Sequence, residues 1–411
     1  MLPLLCGGRS SGIVDFGVPK EKSRWVVLAA YTAVAGVSQM LWLNFAPLLR
    51  QIQARYGVGE LTASTLVLVF PFLYVVLSIP AGALIDRRGY RVGIGAGAVL
   101  QGAFSFLRIW DESFWVLLAA QLGIAVAQPF ILNGISKLVS DWFEEEHGGV
   151  ATGVGTMGMY LGMALAMAAT PPLVEALGLS GAMAVFAAIS GSAAVAFLVL
   201  VRERSQVPAT GKRVRLAIRG NRDLLLLFGM SFLGLGFFNG ITTWLEPLLA
   251  RNGFDAVDAG AVGGAMIITG IFGAVVLPGL SDRLRRRKPF IIGCTAVALA
   301  LLYPLGTTPS YGTLLMLGSL LGFFFLPAYA ILLEMCSEVV GKEAAGMATG
   351  LLLLMGNAGG VAVVLAMPVL SGGTLTWSLG PLHLLAGLLV LAIVLASTVR
   401  ETFHLRPATS G

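Results

Sequence analysis

A long internal repeat is the feature that most constrains the fold of this chain. Residues that are identical or chemically alike recur along the sequence at offsets of 196 to 200 positions. These pairs are Asp86 and Asp282, Thr152 and Thr349, Pro171 and Pro368, Pro129 and Pro327, Asp141 and Glu338, and Pro47 and Pro247. One structural unit therefore occurs twice in the chain.

The repeated unit is built from apolar stretches. Hydrophobic residues make up 57% of the chain and charged residues only 12%, which no soluble core requires. A helix that crosses a bilayer needs roughly 20 apolar residues. Twelve stretches meet this requirement, at about 25–50, 61–86, 90–108, 114–140, 148–177, 179–201, 222–251, 257–282, 288–306, 311–338, 343–372 and 376–399.

We therefore predict an all-α membrane protein whose twelve transmembrane helices form two pseudo-symmetric halves of six. The halves are residues 25–201 and 222–399, and the tails are 1–24 and 400–411. Parallel repeats of this kind are typical of transporters whose halves rock around a central site. The linker 202–221 carries a basic flank that is either a short amphipathic helix on the inner leaflet or a solvated connection.

The basic residues are distributed unevenly between the two sides of the predicted membrane. Of the 27 Lys and Arg residues, 22 lie in segments on the side of the termini, and Lys137 lies near that side. Only Arg50, Arg55, Arg108 and Arg251 lie on the other side. This asymmetry places both termini in the cytoplasm of a cell that carries the protein in its plasma or inner membrane. It also explains the net charge of +6 without a nucleic-acid partner.

The loop between the second and third spans is the most sharply patterned charged motif. It reads Gly82-Ala83-Leu84-Ile85-Asp86-Arg87-Arg88-Gly89-Tyr90-Arg91. An Asp just past one helix can approach the positive N-terminus of another, which is worth up to ~1–2 kcal/mol. A shorter second copy contains Asp282-Arg283 and Arg285 to Lys288. These charges are either gate residues or only topogenic charges.

The first copy resembles the signature loop of the major facilitator superfamily. That resemblance implies that Asp86 faces the start of span eleven, near Gly341, and that Arg87 or Arg91 pairs with Asp141 at the inner end of span four. Such contacts would lock the cytoplasmic side while the site faces outward. By the same resemblance, the second copy, Asp282-Arg283 with Arg285 to Lys288, would mirror these contacts with Glu338 and the start of span five, although it lacks the flanking glycines.

In the superfamily fold that this sequence resembles, spans 1, 4, 7 and 10 line the cavity. Polar side chains within those spans are costly against lipid and are expected to face the bundle or water. The candidates for substrate binding in these spans are Gln39, Trp42, Asn44, Gln128, Asn133, Asn239, Glu246 and Tyr329.

Three charged residues in those spans have open roles. Lys137 and Glu334 occupy equivalent positions of the two repeats, where they either form an ion pair across the halves or serve substrate or proton transfer. Glu246 precedes Pro247 near the outer end of span seven. It is predicted to attract cations, to carry a proton or to cap a broken helix.

Span four points to a narrower resemblance. It reads Gln128-Pro129-Phe130-Ile131-Leu132, then Lys137-Leu138 and Trp142-Phe143. This run is similar to that of the feline leukaemia virus subgroup C receptor-related family, which is associated with choline, ethanolamine and heme transport. The resemblance implies that Trp42 and Gln128 face a bound amine, and that Asn239 and Asn357 replace a tyrosine and a glutamine.

A tryptophan face attracts a quaternary ammonium by ~0.5–2 kcal/mol. Because Asn239 replaces one aromatic wall, a choline-like amine, another small amine or a polar neutral solute remains open. A proton-coupled exporter is the alternative, although Gly158 is followed by Met159-Tyr160 where exporters carry a proline. A receptor without transport is a third possibility, and nothing predicts an enzyme, a cofactor or a metal site. We expect a monomer with a small-molecule substrate.

Overall fold

The regular structure of the chain is helical. A computed structural model describes residues 20–203, 221–371 and 380–403, so most of the predicted linker, with its basic flank, lies outside the described residues. The described helices are α1 (Lys20–Leu43), α2 (Leu49–Tyr56), α3 (Glu60–Arg88), α4 (Tyr90–Leu107), α5 (Phe114–Leu132), α6 (Ile135–Trp142), α7 (Glu145–Leu200), α8 (Arg222–Ala250), α9 (Ala256–Leu284), α10 (Lys288–Thr307), α11 (Tyr311–Val340), α12 (Lys342–Ser371) and α13 (Gly380–Thr398).

Within the described residues, ten helical segments are long and apolar enough to cross a membrane. Large apolar side chains cover their outer surfaces, including Ile79, Val199 and Val369, which are 72%, 68% and 78% exposed. Exposed apolar surface on this scale requires a nonpolar surrounding phase. The chain is therefore an integral membrane protein that crosses the bilayer several times.

The long helix α7 contains the predicted boundary between spans five and six. Gly178 interrupts it with φ of 71° and ψ of 172°, and helical geometry resumes after it. A positive φ of this kind is accessible to glycine at little cost. α4 begins at Tyr90, as predicted, but it is not among the ten apolar segments, since it carries Arg91, Gln101 and several glycines.

Two predicted spans are each divided into two helices. The first continues beyond its predicted end at residue 50, through the 3₁₀ turn Ala46–Leu48 and then α2, to Tyr56. Pro47 lies in that turn, and it has no N–H to continue an α-helical ladder. In the fourth span, α5 ends at Leu132, three residues after Pro129, and the helix resumes as α6.

Helix packing follows the same scheme before and after the linker. α1 packs on α7 as α8 packs on α12, and α4 packs on α5 as α10 packs on α11. Glycines permit close crossings in the first pair of contacts: a Cβ on Gly162 would lie 1.9 Å from the Gly36 carbonyl oxygen, and one on Gly359 would lie 1.9 Å from that of Phe232. Small residues at such crossings are what allow helices to associate in lipid.

The parts before and after the linker contact each other at one end of the bundle, which we call the closed end. There Gly260 of α9 approaches the Met167 carbonyl of α7, and the 3₁₀ turn packs on α8. Ser371 of α12 donates a hydrogen bond to Glu60 of α3, with 2.7 Å between Oγ and Oε2.

The opposite end of the bundle, which carries Asp86 and α6, differs, and we call it the open end. Asp86, Arg87 and Arg88 are exposed there. α6 packs on α1, α4 and α7, all of which precede the linker. Among the described residues, the close approach of Gly260 to Met167 and the Glu60–Ser371 hydrogen bond thus join the two parts at the closed end.

The close crossing of α1 and α7 predicts a position-specific effect of alanine. Gly162→Ala should destabilise the protein by about 1–3 kcal/mol, because the added methyl overlaps the Gly36 carbonyl. The matched control is Gly153→Ala on the same helix, where a Cβ meets no atom within 4 Å. Melting temperatures of the purified variants test this, and equal melting temperatures for the two variants would contradict the packing described here.

Candidate functional site

Trp42 lies near the closed-end portion of the first span and is 7% exposed. Its indole Nε1 donates a hydrogen bond to the Val67 carbonyl of α3, with a distance of 3.1 Å. This bond satisfies the polar edge of the ring and leaves its faces for apolar or cationic contacts. One turn earlier, Gln39 is buried and its Oε1 has no partner in the protein, and neither amide atom of buried Asn44 has one.

The side-chain amides of Asn239 on α8 and Asn357 on α12 each donate to the carbonyl four residues earlier in the same helix. The Nδ2 of Asn239 donates to the Leu235 carbonyl of its own helix at 2.8 Å, and that of Asn357 donates to the Leu353 carbonyl at 2.9 Å. Asn239 is 1% exposed and lies beside Gly360, where its amide occupies the space of a missing Cβ. Its Oδ1 is enclosed and has no protein donor.

The remaining candidates of spans four and ten differ from one another. Asn133 ties the fourth span to α3, because its Oδ1 accepts from Tyr74 at 2.8 Å and its Nδ2 donates to the Ser78 carbonyl at 2.9 Å. Its hydrogen-bonding groups are thus engaged by protein. Gln128 is buried one turn earlier. Tyr329 is partly buried, and its hydroxyl lies beside the side chain of Ser231 on α8.

Glu246 forms an ion pair across the two parts of the chain at the closed end. Its Oε1 lies 3.7 Å from Nη1 of Arg50, while its Oε2 is enclosed and has no partner. Glu246 is buried, and the Arg50 side chain is partly exposed. Since α8 packs on the 3₁₀ turn and α2, this pair reinforces an existing contact between the two parts.

The first charged motif lies at the open end, where several of its side chains are exposed. The Asp86 carboxylate is exposed and makes no hydrogen bond among the described residues, and the side chains of Arg87 and Arg91 are also exposed. Lys137 donates to the Ile85 and Asp86 carbonyls at 3.1 and 3.2 Å. Gly82 is partly exposed, and a Cβ on it would meet no atom within 4 Å.

The carboxylate of Glu203 lies against Gly89 and so also belongs to this motif. It has φ of 90°, which favours glycine, and a Cβ on it would lie 2.3 Å from Oε1 of Glu203. The Arg91 backbone N–H, at the start of α4, donates to Glu203 Oε2 at 3.0 Å. A carboxylate at a helix N-terminus is stabilised by the free N–H groups there. Burial raises the pKa of the Glu203 carboxyl, and this hydrogen bond and the nearby Lys137 act in the opposite direction.

The second charged motif forms a compact cluster around Arg287, which is 1% exposed. Its guanidinium contacts Asp282, Glu334 and Glu338 at 2.7, 2.8 and 3.1 Å. Glu334 and Glu338 therefore share the cation of Arg287, which lies in the same part of the chain as they do, after the linker.

Arg283, the residue predicted to act here, is exposed. The register differs from the prediction because Arg285 adopts a left-handed conformation, with φ of 53°, where the first motif has a glycine. That turn directs Arg287 rather than Arg283 into the cluster.

Glu401, which follows α13, binds the second cluster in the way that Glu203 binds the first motif. Glu401 accepts from the backbone N–H groups of Arg287 and Lys288 at the start of α10, at 2.8 and 3.1 Å. The sequence analysis missed both glutamates. A signal was present, because Val201-Arg202-Glu203 recurs as Val399-Arg400-Glu401 at an offset of 198.

The cluster predicts a large difference between two neighbouring arginines. Arg287→Leu leaves several carboxylates without their shared cation and should destabilise the protein by about 3–5 kcal/mol. Arg283→Leu removes an exposed cation and should change stability by no more than about 0.5 kcal/mol. Thermal melting of both variants measures this, and a comparable loss in each would rule out the central position of Arg287.

Comparison with known proteins identifies the family to which this chain belongs. The sequence pattern of the Major Facilitator Superfamily matches residues 28–364. The chain is 25% identical to the choline/ethanolamine transporter flvcr2b of Danio rerio, over 91% of this chain and 83% of that protein. It is 24% identical to the choline/ethanolamine transporter FLVCR1 of Felis catus, over 89% of this chain and 71% of that protein.

Solved structures give the same fold. A bacterial homolog of the human lysosomal transporter Spinster, in an inward-facing and occupied conformation, matches with a TM-score of 0.73 and 14% identity, over 91% of this chain and 96% of that one. The unoccupied inward-facing form matches with a TM-score of 0.70, over 93% and 96% of the two chains.

Proposed function

Because this chain belongs to the Major Facilitator Superfamily, whose pattern covers residues 28–364, we propose that it is a secondary transporter of a small organic amine. The observation that carries the choice of substrate is the oriented indole of Trp42, whose Nε1 is fixed on the Val67 carbonyl, so that its apolar faces are the part of the ring left for other contacts. Relatives named as choline/ethanolamine transporters cover most of this chain, which supports an amine as the substrate.

The proposal includes twelve spans in two halves, 25–201 and 222–399. Three counts support this number: ten apolar helical segments in the described residues, the division of α7 at Gly178, and α4 as a further span. The repeated packing of α1 on α7 and of α8 on α12 supports two equivalent halves. Alternating access then consists of rocking one half against the other.

The basic open end is assigned to the cytoplasm in this proposal. The positive-inside rule supports this assignment, because the side that carries Arg87, Arg283 and Arg287 holds most of the Lys and Arg residues. Both termini are then cytoplasmic, and the arrangement described here is the inward-facing state. We propose a monomer in a plasma or inner membrane.

The gates follow from this assignment. Arg50 with Glu246, and Glu60 with Ser371, connect the two halves at the outer side and stabilise the inward-facing state. Asp86 is exposed in this state and, in the proposal, approaches the start of α12 near Gly341 when the inner side closes. A ligand or mutation shifts the balance only through its different interactions with the two states.

A proton-coupled exporter is the second candidate, and Glu246 is the observation that favours it. This carboxylate lies in a membrane span and is nearly inaccessible to solvent, and one of its oxygens has no partner. Ionisable residues in such places commonly take part in transport. Transport that requires an imposed pH gradient and stops in Glu246→Gln would favour this candidate over an uncoupled carrier.

Trp42 gives the first test of the amine site. Trp42→Ala should abolish the rise in melting temperature that choline or ethanolamine causes in the wild type, because the cation loses its aromatic face. Trp42→Phe keeps an aromatic face and should retain part of that rise. The measurement is the melting temperature of purified protein over a range of amine concentrations. An undiminished rise in Trp42→Ala would remove this residue from the site.

The Arg50–Glu246 pair gives a test of the outer gate. Glu246→Gln should raise the rate at which an impermeant maleimide, added from outside, labels a cysteine placed at the buried position of Thr243. The expected rise is up to about fivefold, because a partly exposed ion pair contributes ~1 kcal/mol or less. Exposed Glu112→Gln is the matched control. Equal rates in both variants would mean that the pair does not hold the gate.

A further inference from the structure

Oδ1 of Asn239 has no hydrogen-bond donor in the protein, whereas the nitrogen of the same amide is bonded within its own helix. We propose that this transporter prefers amines that carry N–H donors over quaternary amines, and that Oδ1 of Asn239 makes the distinction. The inference rests on the proposed function, and it specifies the substrate class of the same site. It assigns Asn239 as a specificity-determining residue.

The orientation of the Asn239 amide follows from its own helix. Its nitrogen lies 2.8 Å from the Leu235 carbonyl, which can only accept a hydrogen bond. Placing the amide oxygen there would bring two acceptors together, so chemistry fixes the assignment of oxygen and nitrogen. Asn357 is held in the same way by the Leu353 carbonyl at 2.9 Å. In both residues one N–H of the amide is used within the helix, and the oxygen is directed away from that bond.

The oxygen of Asn239 is enclosed and has no donor from the protein. Oε1 of Gln39, one turn before Trp42 on the first span, is in the same situation. A buried acceptor without a partner is unfavourable, so each oxygen favours a ligand that brings a donor. The two residues belong to the two parts of the chain that precede and follow the linker.

Asn133 shows that this bundle supplies donors where an amide is purely structural. Its oxygen accepts from the Tyr74 hydroxyl at 2.8 Å, and its nitrogen donates to the Ser78 carbonyl. Asn239 also lies within a cavity-lining span and is more deeply buried, yet only its nitrogen is satisfied. Its unpaired oxygen therefore distinguishes Asn239 from Asn133, and its place in span seven distinguishes it from amides such as Gln101 on the third span.

Charge and donor count are recognised by different groups in this arrangement. The face of Trp42 attracts any organic cation, with or without N–H groups. A primary ammonium also offers three N–H donors, and each methyl group removes one, until a quaternary ammonium offers none. A methyl group placed against Oδ1 of Asn239 leaves that acceptor unpaired, and sites built to hydrogen-bond a substrate discriminate strongly against analogues without the donor.

The test uses four ligands that differ in the number of N-methyl groups and so in donor count: ethanolamine, N-methylethanolamine, N,N-dimethylethanolamine and choline. Their dissociation constants are measured on the full-length protein by calorimetry or thermal shift. We expect ethanolamine to bind at least about tenfold more tightly than choline, which corresponds to one hydrogen bond to a charged donor. This wild-type series needs no variant, so it does not depend on the folding of any mutant.

The variant arm removes the acceptor. Asn239→Leu has nearly the same shape and should reduce the ethanolamine preference to less than about threefold. Gln101→Leu is the matched control, because Gln101 is also a buried amide with an unpartnered oxygen but belongs to the third span, outside the site. It should keep the wild-type preference.

The outcomes separate the two proposals. Choline binding as tightly as ethanolamine in the wild type, or an unchanged preference in folded Asn239→Leu, would overturn the assignment of Asn239 and leave the amine transporter intact. Binding of none of the four amines would overturn the proposed function itself.

Discussion

The close contact between α7 and α9 at the closed end is the constraint on which the rest of the structure depends. Helices in lipid gain little from apolar burial, and so they associate where small residues let their backbones approach. A Cβ on Gly260 would lie only 2.4 Å from the Met167 carbonyl, and one on Gly264 would lie 2.7 Å from Cβ of Ala168. Contact at this end leaves the opposite end free to separate.

The polar interactions also differ between the closed end and the open end. At the closed end two of them cross between the two parts of the chain, Arg50 with Glu246 and Ser371 with Glu60. At the open end, Glu203 binds the start of α4 and Glu401 binds the start of α10, each within its own part. In the proposed rocking movement, the internal bonds would hold each part together, while bonds such as that between Arg50 and Glu246 would break and reform. This distribution suits two rigid units that rock against each other.

The sequence predicted the elements whose signals are local or repeated. Apolar length predicted the helices, and the break at Gly178 fell between two predicted spans because glycine tolerates a positive φ. The repeat offsets identified Asp282 and Glu338, but not the register of the second motif. Arg287 reaches that cluster only because Arg285 takes a left-handed conformation, which no periodicity in the sequence indicates.

The candidate site was predictable only in part. Polar residues in the cavity-lining spans could be selected from the sequence, but not which of their atoms remain available. Asn133 and Asn239 are the same residue type in equivalent kinds of span, and only the three-dimensional contacts separate them: Tyr74 and Ser78 satisfy Asn133, while Oδ1 of Asn239 stays unpaired. Arg50 was likewise predicted only as one of the cations on the side opposite the termini, since its pairing with Glu246 depends on how the two parts dock.

Counterflow in reconstituted liposomes tests the central claim most directly. Liposomes that contain the purified protein are loaded with unlabelled ethanolamine and diluted into labelled ethanolamine, without any ion gradient. Alternating access to an amine site predicts transient accumulation of label, which is absent from empty-loaded liposomes and from the Trp42→Ala variant. Label uptake no greater than in protein-free liposomes, for ethanolamine and for choline, would contradict the account.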